Sequence, residues 1–168
     1  NWVVQSGWNE VSGLSDDSIN LSKLFGVALS TTGTLSILNL NCNNLVGCIP
    51  DCFNSLSSLT QLCLAGNKLV GEIPTSIYML ANLSVLQLNN NALVGSISPA
   101  IKSLHKLSIL RLDNNRLSGS LPNTLSELYC LRRVLVNNNL LSGTIYQISW
   151  DSLKSLQELH LNNNNFIG

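Results

Sequence analysis

A frame of 24 residues recurs through most of this 168-residue chain. Its pattern is L-x-x-L-x-L-x-x-N-x-L-x-G-x-I-P-x-x-L-x-x-L-x-x, and the step into the sixth copy is one residue longer than the others. The copies begin at Leu35, Leu59, Leu83, Leu107, Leu131 and Leu156. Several columns stay in phase over all copies, and such a period is typical of a solenoid whose units pack only on their neighbours.

Two further columns accompany the leucines. The asparagine column is Asn43, Asn67, Asn91, Asn115, Asn139 and Asn164, and the glycine column is Gly47, Gly71, Gly95, Gly119, Gly143 and Gly168. An inward asparagine can donate and accept hydrogen bonds to the backbone of adjacent turns, which leucine cannot do. Glycine suits a backbone with positive φ or a close approach to the next coil.

Each unit contains two apolar residues around one outward residue, which predicts a short strand with one buried face. The pairs are Leu38/Leu40, Leu62/Leu64, Leu86/Leu88, Leu110/Leu112, Val134/Val136 and Leu159/Leu161. Later apolar columns, beginning at Ile49 and Phe53 in the first unit, should face inward on the return path. We therefore predict an α/β solenoid with a parallel sheet on its concave face and an irregular or 3₁₀ convex side.

Residues 1–34 do not match the frame, and we predict that they form an N-terminal cap over the repeats at 35–168. The expected cap has a short helix over Ser15 to Leu24, then a strand at 25–29 that forms a hairpin with the first repeat. The chain opens without Met and ends within a repeat, which we interpret as a mature or fragmentary piece. We expect further repeats or a partner to cover the end after Leu156.

The fifth unit departs from the frame. Tyr146 replaces the proline, and one inserted residue brings Trp150 near the apolar column and Leu153 into it. We predict a local bulge on the convex side, filled by Trp150.

Charged residues make up only 11% of the chain, and Lys+Arg equals Asp+Glu at 9 each. This balance predicts no basic face for nucleic acid and no polybasic membrane patch. No apolar run approaches the ~18 residues of a membrane span, so we expect no direct membrane insertion in this segment.

Five cysteines form an odd set, so at least one is unpaired or bonds outside the chain. Cys48 and Cys52 flank one short loop, and either they close a small disulfide ring or they stay reduced. Two N-x-S sequons, at Asn20 and Asn82, favour a secreted glycoprotein, although such triplets also arise by chance in a chain rich in Asn and Ser.

The G-x-I-P element resembles the plant-type subclass of leucine-rich repeats. It occurs as Gly47-Cys48-Ile49-Pro50 and Gly71-Glu72-Ile73-Pro74, and as the variant Gly119-Ser120-Leu121-Pro122. Plant receptor-kinase ectodomains, polygalacturonase-inhibiting proteins and many algal or protist surface proteins share this subclass. The resemblance covers 35–168 and implies an extracellular or cell-surface binding module. Leu24 stands where plant members usually have Trp, and no Cys precedes Cys42, which favours an algal, protist or otherwise divergent relative.

The residues that flank the buried pair of each strand should project from the concave face. We predict that ligand contacts come from Asn39, Asn41, Gln61, Gln87, Asn89, Arg111, Asp113, Arg133, Asn137, Glu158 and His160. Many neighbouring positions are also Asn, including Asn90, Asn114, Asn138 and Asn163. Side-chain amides at a strand spacing of ~4.8 Å suit sugars, peptide backbone or ordered water. Alternatively, these positions favour Asn because each strand ends there.

Charge gathers in the last units, where Arg133 and Glu158 share a column on adjacent strands and predict a cross-strand ion pair. A ligand carboxylate would compete for Arg111 and Arg133. The sequence contains no cofactor motif, no metal-ligand cluster and no nucleophile beside His105 or His160, so we predict no enzyme activity.

Three functional hypotheses follow. The first is a recognition module that binds protein, peptide or glycan through the concave face, with enzyme inhibition as a special case. The second is a structural subunit of a larger extracellular assembly, held by its C-terminal edge or convex side. The third is an ice-binding protein that uses the asparagine array, as some plant-type repeat proteins do.

Overall fold

The computed structural model describes residues 27–29 and 33–167. The predicted cap helix over Ser15 to Leu24 and the sequon at Asn20 lie outside these residues. Within them, each coil carries a strand on the concave side, a 3₁₀ turn on the convex side and, in most coils, a second short strand. This architecture confirms the predicted repeat solenoid with a 3₁₀ convex side.

The strands are short and evenly spaced along the chain. In chain order they are β1 (Val27–Leu29), β2 (Leu35–Asn39), β3 (Val46–Cys48), β4 (Gln61–Cys63), β5 (Lys68–Gly71), β6 (Val85–Gln87), β7 (Ala92–Leu93), β8 (Ile109–Arg111), β9 (Ser118–Ser120), β10 (Arg133–Leu135), β11 (Leu140–Thr144), β12 (Glu158–His160) and β13 (Asn165–Ile167). The 3₁₀ turns are Phe53–Ser55, Thr75–Met79, Pro99–Ser103, Asn123–Glu127 and Trp150–Ser152.

The concave sheet has the order β1-β2-β4-β6-β8-β10-β12. Its repeat strands are parallel and pair one unit apart, as Leu38 does with Leu62. Val134 pairs with Leu159, so the inserted residue of the fifth unit is absorbed outside the sheet. β1 runs antiparallel to β2 and covers the first edge of the array. The boundary between cap and repeats near residue 34 stays a prediction.

The core is a stack of aliphatic side chains between the concave strands and the convex turns. Leu62, Leu86, Leu110 and Val134 are at most 1% exposed. The convex columns also point inward, as Ile77 shows with no exposure. These columns are therefore structural, as the sequence predicted, and their burial supplies most of the apolar stabilisation of the array.

The asparagine column bonds each coil to the one before it. Asn67 Nδ2 donates to the carbonyl oxygens of Leu40 and Leu64 at 2.9 and 2.8 Å. Its Oδ1 accepts from the backbone amides of Asn43 and Leu45 at 3.0 Å. Related bonds recur from Asn91 onwards, so the predicted backbone-satisfying ladder is confirmed.

Two additional parallel sheets, β3-β5-β7 and β13-β11-β9, line the side of the solenoid between the concave and convex faces. The repeat frame did not predict them, because each strand has at most one buried leucine, such as Leu69 in β5 or Leu141 in β11. Alternation of this length is too short to separate from a loop.

Trp150 lies in the fifth unit, where the inserted residue predicted a local bulge. Trp150 is partly buried against the core, and its Nε1 donates to the carbonyl oxygen of Ile145 at 3.0 Å. Ile148, which the repeat frame did not place in the core, is only 2% exposed. The extra residue thus places a second apolar side chain in the core beside Leu153.

The proposed disulfide ring between Cys48 and Cys52 is not formed in the structure. The Cys48 side chain lies against Gly71 in the following coil, with its sulfur 2.8 Å from the position of a β-carbon at residue 71. The Cys48 sulfur therefore packs on the next coil instead of bonding back to Cys52.

Candidate ligand-binding face

The concave sheet presents three columns of residues that alternate with the buried leucines. The first column is Ile37, Gln61, Val85, Ile109, Arg133 and Glu158. The second is Asn39, Cys63, Gln87, Arg111, Leu135 and His160, and the third, just beyond the strands, is Asn41, Ala65, Asn89, Asp113, Asn137 and Asn162. Because the strands are parallel and in register, each column runs straight along the array.

Most predicted contact residues of the first two columns are accessible. Asn39, Arg133 and His160 are exposed, and the rest are half-buried, namely Gln61, Gln87, Arg111 and Glu158. These seven side chains lie on one face and form the amide and charged parts of a continuous surface.

The third column is buried at its centre. Asn89 and Asp113 are each only 4% exposed, which corrects their prediction as accessible contact residues. Asn162 at the end of the column is exposed. Asn41 and Asn137 are both half-buried. The Oδ1 of Asn41 already accepts a hydrogen bond from the backbone amide of Ala65 at 2.6 Å.

The neighbouring asparagines owe their identity to backbone conformation. Asn90, Asn114, Asn138 and Asn163 all have φ of 55 to 57°, the left-handed region that Asn tolerates better than most residues. Gly66 takes the same turn with φ of 67°. The side chains also bond to one another, as Asn138 Nδ2 does to Asn114 Oδ1 at 2.8 Å. Strand termination therefore accounts for this part of the array.

The charged end of the face is internally paired. Arg133 Nε contacts Glu158 Oε2, which confirms the predicted cross-strand ion pair, and Glu158 Oε1 lies 3.4 Å from His160 Nε2. Arg111 Nε lies 3.3 Å from the buried carboxylate of Asp113. The Arg133 side chain is still 55% exposed, so it can contact a ligand without leaving Glu158.

The first column is apolar at its centre, although the polar side chains of Gln87 and Arg111 lie beside it in the second column. Val85 and Ile109 are half-buried neighbours in the first column, and Leu135 is buried in the second. β-branched residues at two successive outward strand positions were the available sequence indication. From the second unit onwards, the first column therefore changes from an amide at Gln61 through the apolar pair Val85 and Ile109 to the charged pair Arg133 and Glu158.

The remaining predicted site is the sequon at Asn82, which is half-buried on the side of the array where the concave strands begin. Its Nδ2 donates to the carbonyl oxygen of Ser57 at 3.0 Å, and its Oδ1 accepts from Lys106 Nζ at 2.8 Å. Glycosylation at Asn82 stays a prediction.

Residues 33–167 contain no group of three His, Cys, Asp or Glu side chains arranged to hold a metal ion. In the described part of the chain, no helix has the length and apolar character needed to cross a bilayer.

Two family models match the chain. The model described as "Leucine rich repeat" matches residues 33–93, and a second, "Leucine Rich Repeat", matches residues 106–128. A chain of the BIR3–SERK2 complex from Arabidopsis thaliana is 35% identical, with a TM-score of 0.79, and the match covers 92% of this chain and 82% of that one. This protein belongs to the leucine-rich repeat family.

Other leucine-rich repeat structures agree. The ectodomain of the Arabidopsis thaliana receptor kinase SOBIR1 is 33% identical with a TM-score of 0.78, and the match covers 90% of this chain and 88% of that one. The Arabidopsis receptor kinase HAESA, in complex with the peptide hormone IDA and the co-receptor SERK1, is 30% identical with a TM-score of 0.82. That match covers 91% of this chain but only 26% of the HAESA chain. The chain also spans only 21% of the plant peptide hormone receptor RGFR1. A comparison with curated protein sequences found no significant match.

Proposed function

We propose that this leucine-rich repeat protein is a non-enzymatic recognition module that binds a protein or peptide through its concave face. The observation that carries the proposal is the mixed surface of the first two columns, where the apolar pair Val85 and Ile109 lies beside polar side chains and Arg133 lies at the charged end. A preformed face of this kind loses little conformational entropy on binding, because the coils fix every column.

The chemistry of the face suits an extended peptide. Half-buried amides at Gln61 and Gln87 can pair with peptide N–H and C=O groups, and the Val85–Ile109 pair offers a seat for an apolar side chain. Arg111 and Arg133 provide cations at one end, although both already have acidic partners. Register along the array would therefore be set by one apolar and one charged contact.

The similar structures support this class of function. HAESA is described in complex with a peptide hormone and a co-receptor, and RGFR1 is described as a peptide hormone receptor in complex with RGF2. SOBIR1 was solved as the ectodomain of a receptor kinase. We infer from them an extracellular or cell-surface location and membership of the plant-type G-x-I-P subclass. An algal or protist source stays a prediction from Leu24 and the missing cysteines before Cys42.

The other hypotheses receive less support. Ice binding needs a flat, water-facing amide array, whereas Asn89 is buried and Asn138 is bonded to its neighbour. Glycan binding at the concave face and a structural role in a larger assembly stay alternative predictions.

The test is selection of a displayed random peptide library on the immobilised protein, followed by affinity measurement on variants. The face variant combines Gln87→Ala and Arg111→Ala, and the matched control combines Lys102→Ala and Gln147→Ala, which change exposed residues outside the concave face. We expect the face variant to bind the selected peptides about tenfold or more weakly. Equal affinity of the face variant, or equal loss in the control, would overturn the proposal, and so would a library that yields no binder to the folded protein.

A further inference from the structure

One side of the solenoid, which we call the lower edge, lies where the concave strands begin. Each of the last five units contributes three residues to it, namely the two residues before its first leucine and the one residue after that leucine. The first leucines of these units are Leu59, Leu83, Leu107, Leu131 and Leu156. The backbone stacks these positions directly, since the amide of Ser108 donates to Ser84 O and that of Arg132 donates to Ser108 O, both at 2.8 Å.

The lower edge contains no Asp or Glu at any of these positions. It does contain Lys106, Arg132, Lys154 and His105, and all four side chains are exposed. The equal numbers of acids and bases in the whole chain predicted no basic face. That prediction is incomplete, because the balance holds for the chain and not for this edge.

These cations are not neutralised by neighbouring carboxylates. In residues 33–167, none of Lys106, Arg132 and Lys154 takes part in an ion pair. The carboxylate of Glu158 on the concave face is already engaged by Arg133 and His160. Lys106 Nζ instead donates to Asn82 Oδ1 at 2.8 Å, which holds that ammonium group at the edge.

An aromatic ring lies at the centre of the charged group. Tyr129 is 64% exposed and occupies the same column as His105 in the preceding coil and Lys154 in the following one. Lys106 and Lys154 are two coils apart, roughly 10 Å from the strand spacing of a parallel sheet. A large exposed ring between regularly spaced cations combines an apolar platform with positive charge.

We propose that the lower edge is a second binding surface, distinct from the concave face, that takes an anionic polysaccharide built of uronic acids. The C–H face of a sugar ring packs on Tyr129, and carboxylates of flanking sugars meet Lys106, Arg132 and Lys154. A uronic-acid chain supplies both features at a regular repeat, whereas poly-glutamate supplies the charge alone and a phosphatidylserine membrane has no ring to stack on the tyrosine.

The experiment titrates the protein with alginate oligosaccharides at low and physiological ionic strength, with neutral dextran and poly-glutamate in parallel. We expect alginate to bind, dextran not to bind, and affinity to fall as salt rises, because screening weakens contacts between exposed charges. The triple variant Lys106→Gln, Arg132→Gln and Lys154→Gln should bind alginate at least about tenfold more weakly. The matched control is the double variant Lys68→Gln and Arg116→Gln, which removes two exposed cations that lie outside the lower edge. This variant should retain wild-type affinity for alginate.

Tyr129→Ala separates a polysaccharide from other anions. It should weaken alginate binding severalfold and leave any poly-glutamate binding unchanged. Equal loss for both polymers, tighter binding to poly-glutamate or to phosphatidylserine vesicles, or equal loss in the control would overturn the proposal.

A cysteine footprint locates the bound polymer directly. Cys130 is exposed on the lower edge, and Cys52 is exposed on the convex side of the first unit. Bound alginate should slow alkylation of Cys130 relative to Cys52 in the same molecule. Unchanged Cys130 reactivity under saturating alginate would contradict the assignment to this edge. Binding of the selected peptides by the variant with Gln87→Ala and Arg111→Ala is a separate measurement. The proposal for the concave face and the proposal for the lower edge can therefore fail independently.

Discussion

The sulfur of Cys48 lies 2.8 Å from the position that a β-carbon on Gly71 would occupy in the following coil. Gly71 has φ of 79°, in the left-handed region. The close approach and the backbone conformation both require glycine here.

Replacing Gly71 with alanine should therefore destabilise the protein through two separable causes. Positive φ costs an L-residue about 1–2 kcal/mol, and the contact with the Cys48 sulfur adds about 1 kcal/mol more. Removing the sulfur with Cys48→Ala leaves the next contact, the Cys48 β-carbon, at an ordinary 3.5 Å. A double-mutant cycle from chemical denaturation should recover roughly 1 kcal/mol of coupling. Additive costs would show that the sulfur does not constrain Gly71.

Asn139→Ala should be among the most destabilising polar substitutions in the array. Asn139 Nδ2 donates to Leu112 O and Val136 O, and its Oδ1 accepts from the Leu117 amide, all at 3.0 Å. Losing these bonds leaves buried backbone groups unsatisfied, at an expected cost of about 3–5 kcal/mol in unfolding free energy. The adjacent Asn138→Ala is the control and should cost less, about 1 kcal/mol, because its side-chain bonds are exposed and the main loss is the tolerance of Asn for a φ of 57°. Comparable costs at the two positions would contradict the ladder as a principal source of stability.

The asparagine and leucine columns illustrate what the sequence could predict. The roles of Asn67, Asn139 and the leucine columns follow from periodicity, because one residue type is required at the same corner in every coil. The period also located the inserted residue of the fifth unit near Trp150. It did not predict the additional side sheets, whose strands contain at most one buried leucine each.

The candidate site was less predictable, because periodicity assigns a residue to a column but does not indicate how far its side chain is buried. Asn89 and Asp113 belong to an outward column, yet both are buried where the chain turns from the strand. Net charge likewise gave no indication of the basic lower edge, since Lys106 and Lys154 are separated by two repeats and become neighbours only when the coils stack.

Asp51 should make stability depend on pH in the acid range. Its carboxylate accepts from the Ser76 backbone amide in the next coil at 2.8 Å and from the Thr75 hydroxyl at 3.4 Å. The bond from the Ser76 backbone amide is the main cause that holds the pKa of Asp51 below its ordinary value of 3.8. A carboxyl whose folded pKa is depressed stabilises the protein above its unfolded pKa and loses that contribution as pH falls through the folded pKa.

The comparison of wild type with Asp51→Asn isolates this effect. We expect the variant to have the lower melting temperature at neutral pH, and the difference to shrink once the pH falls below 3.8. Melting curves across that range measure it. A difference that is constant with pH would show that the charge of Asp51 contributes nothing.

Cys63 should be the least reactive thiol of residues 33–167. It is only 5% exposed on the concave sheet, and burial raises the pKa of its thiol, so less thiolate is present at a given pH. Timed alkylation with mass spectrometry should show Cys63 reacting at least roughly tenfold more slowly than Cys42, Cys52 or Cys130, all of which are exposed. Equal rates would mean that the concave strands open readily at this coil.

The central claim, that the concave face binds a peptide, is tested most directly by nuclear magnetic resonance of side-chain amides during titration with a selected peptide. We predict shift changes for Asn39, Gln61 and Gln87 and for the Arg111 guanidinium, with little change for Asn123 and Gln147, which are exposed elsewhere on the array. Changes confined to Asn123 and Gln147, with the concave amides unmoved at saturation, would contradict the account.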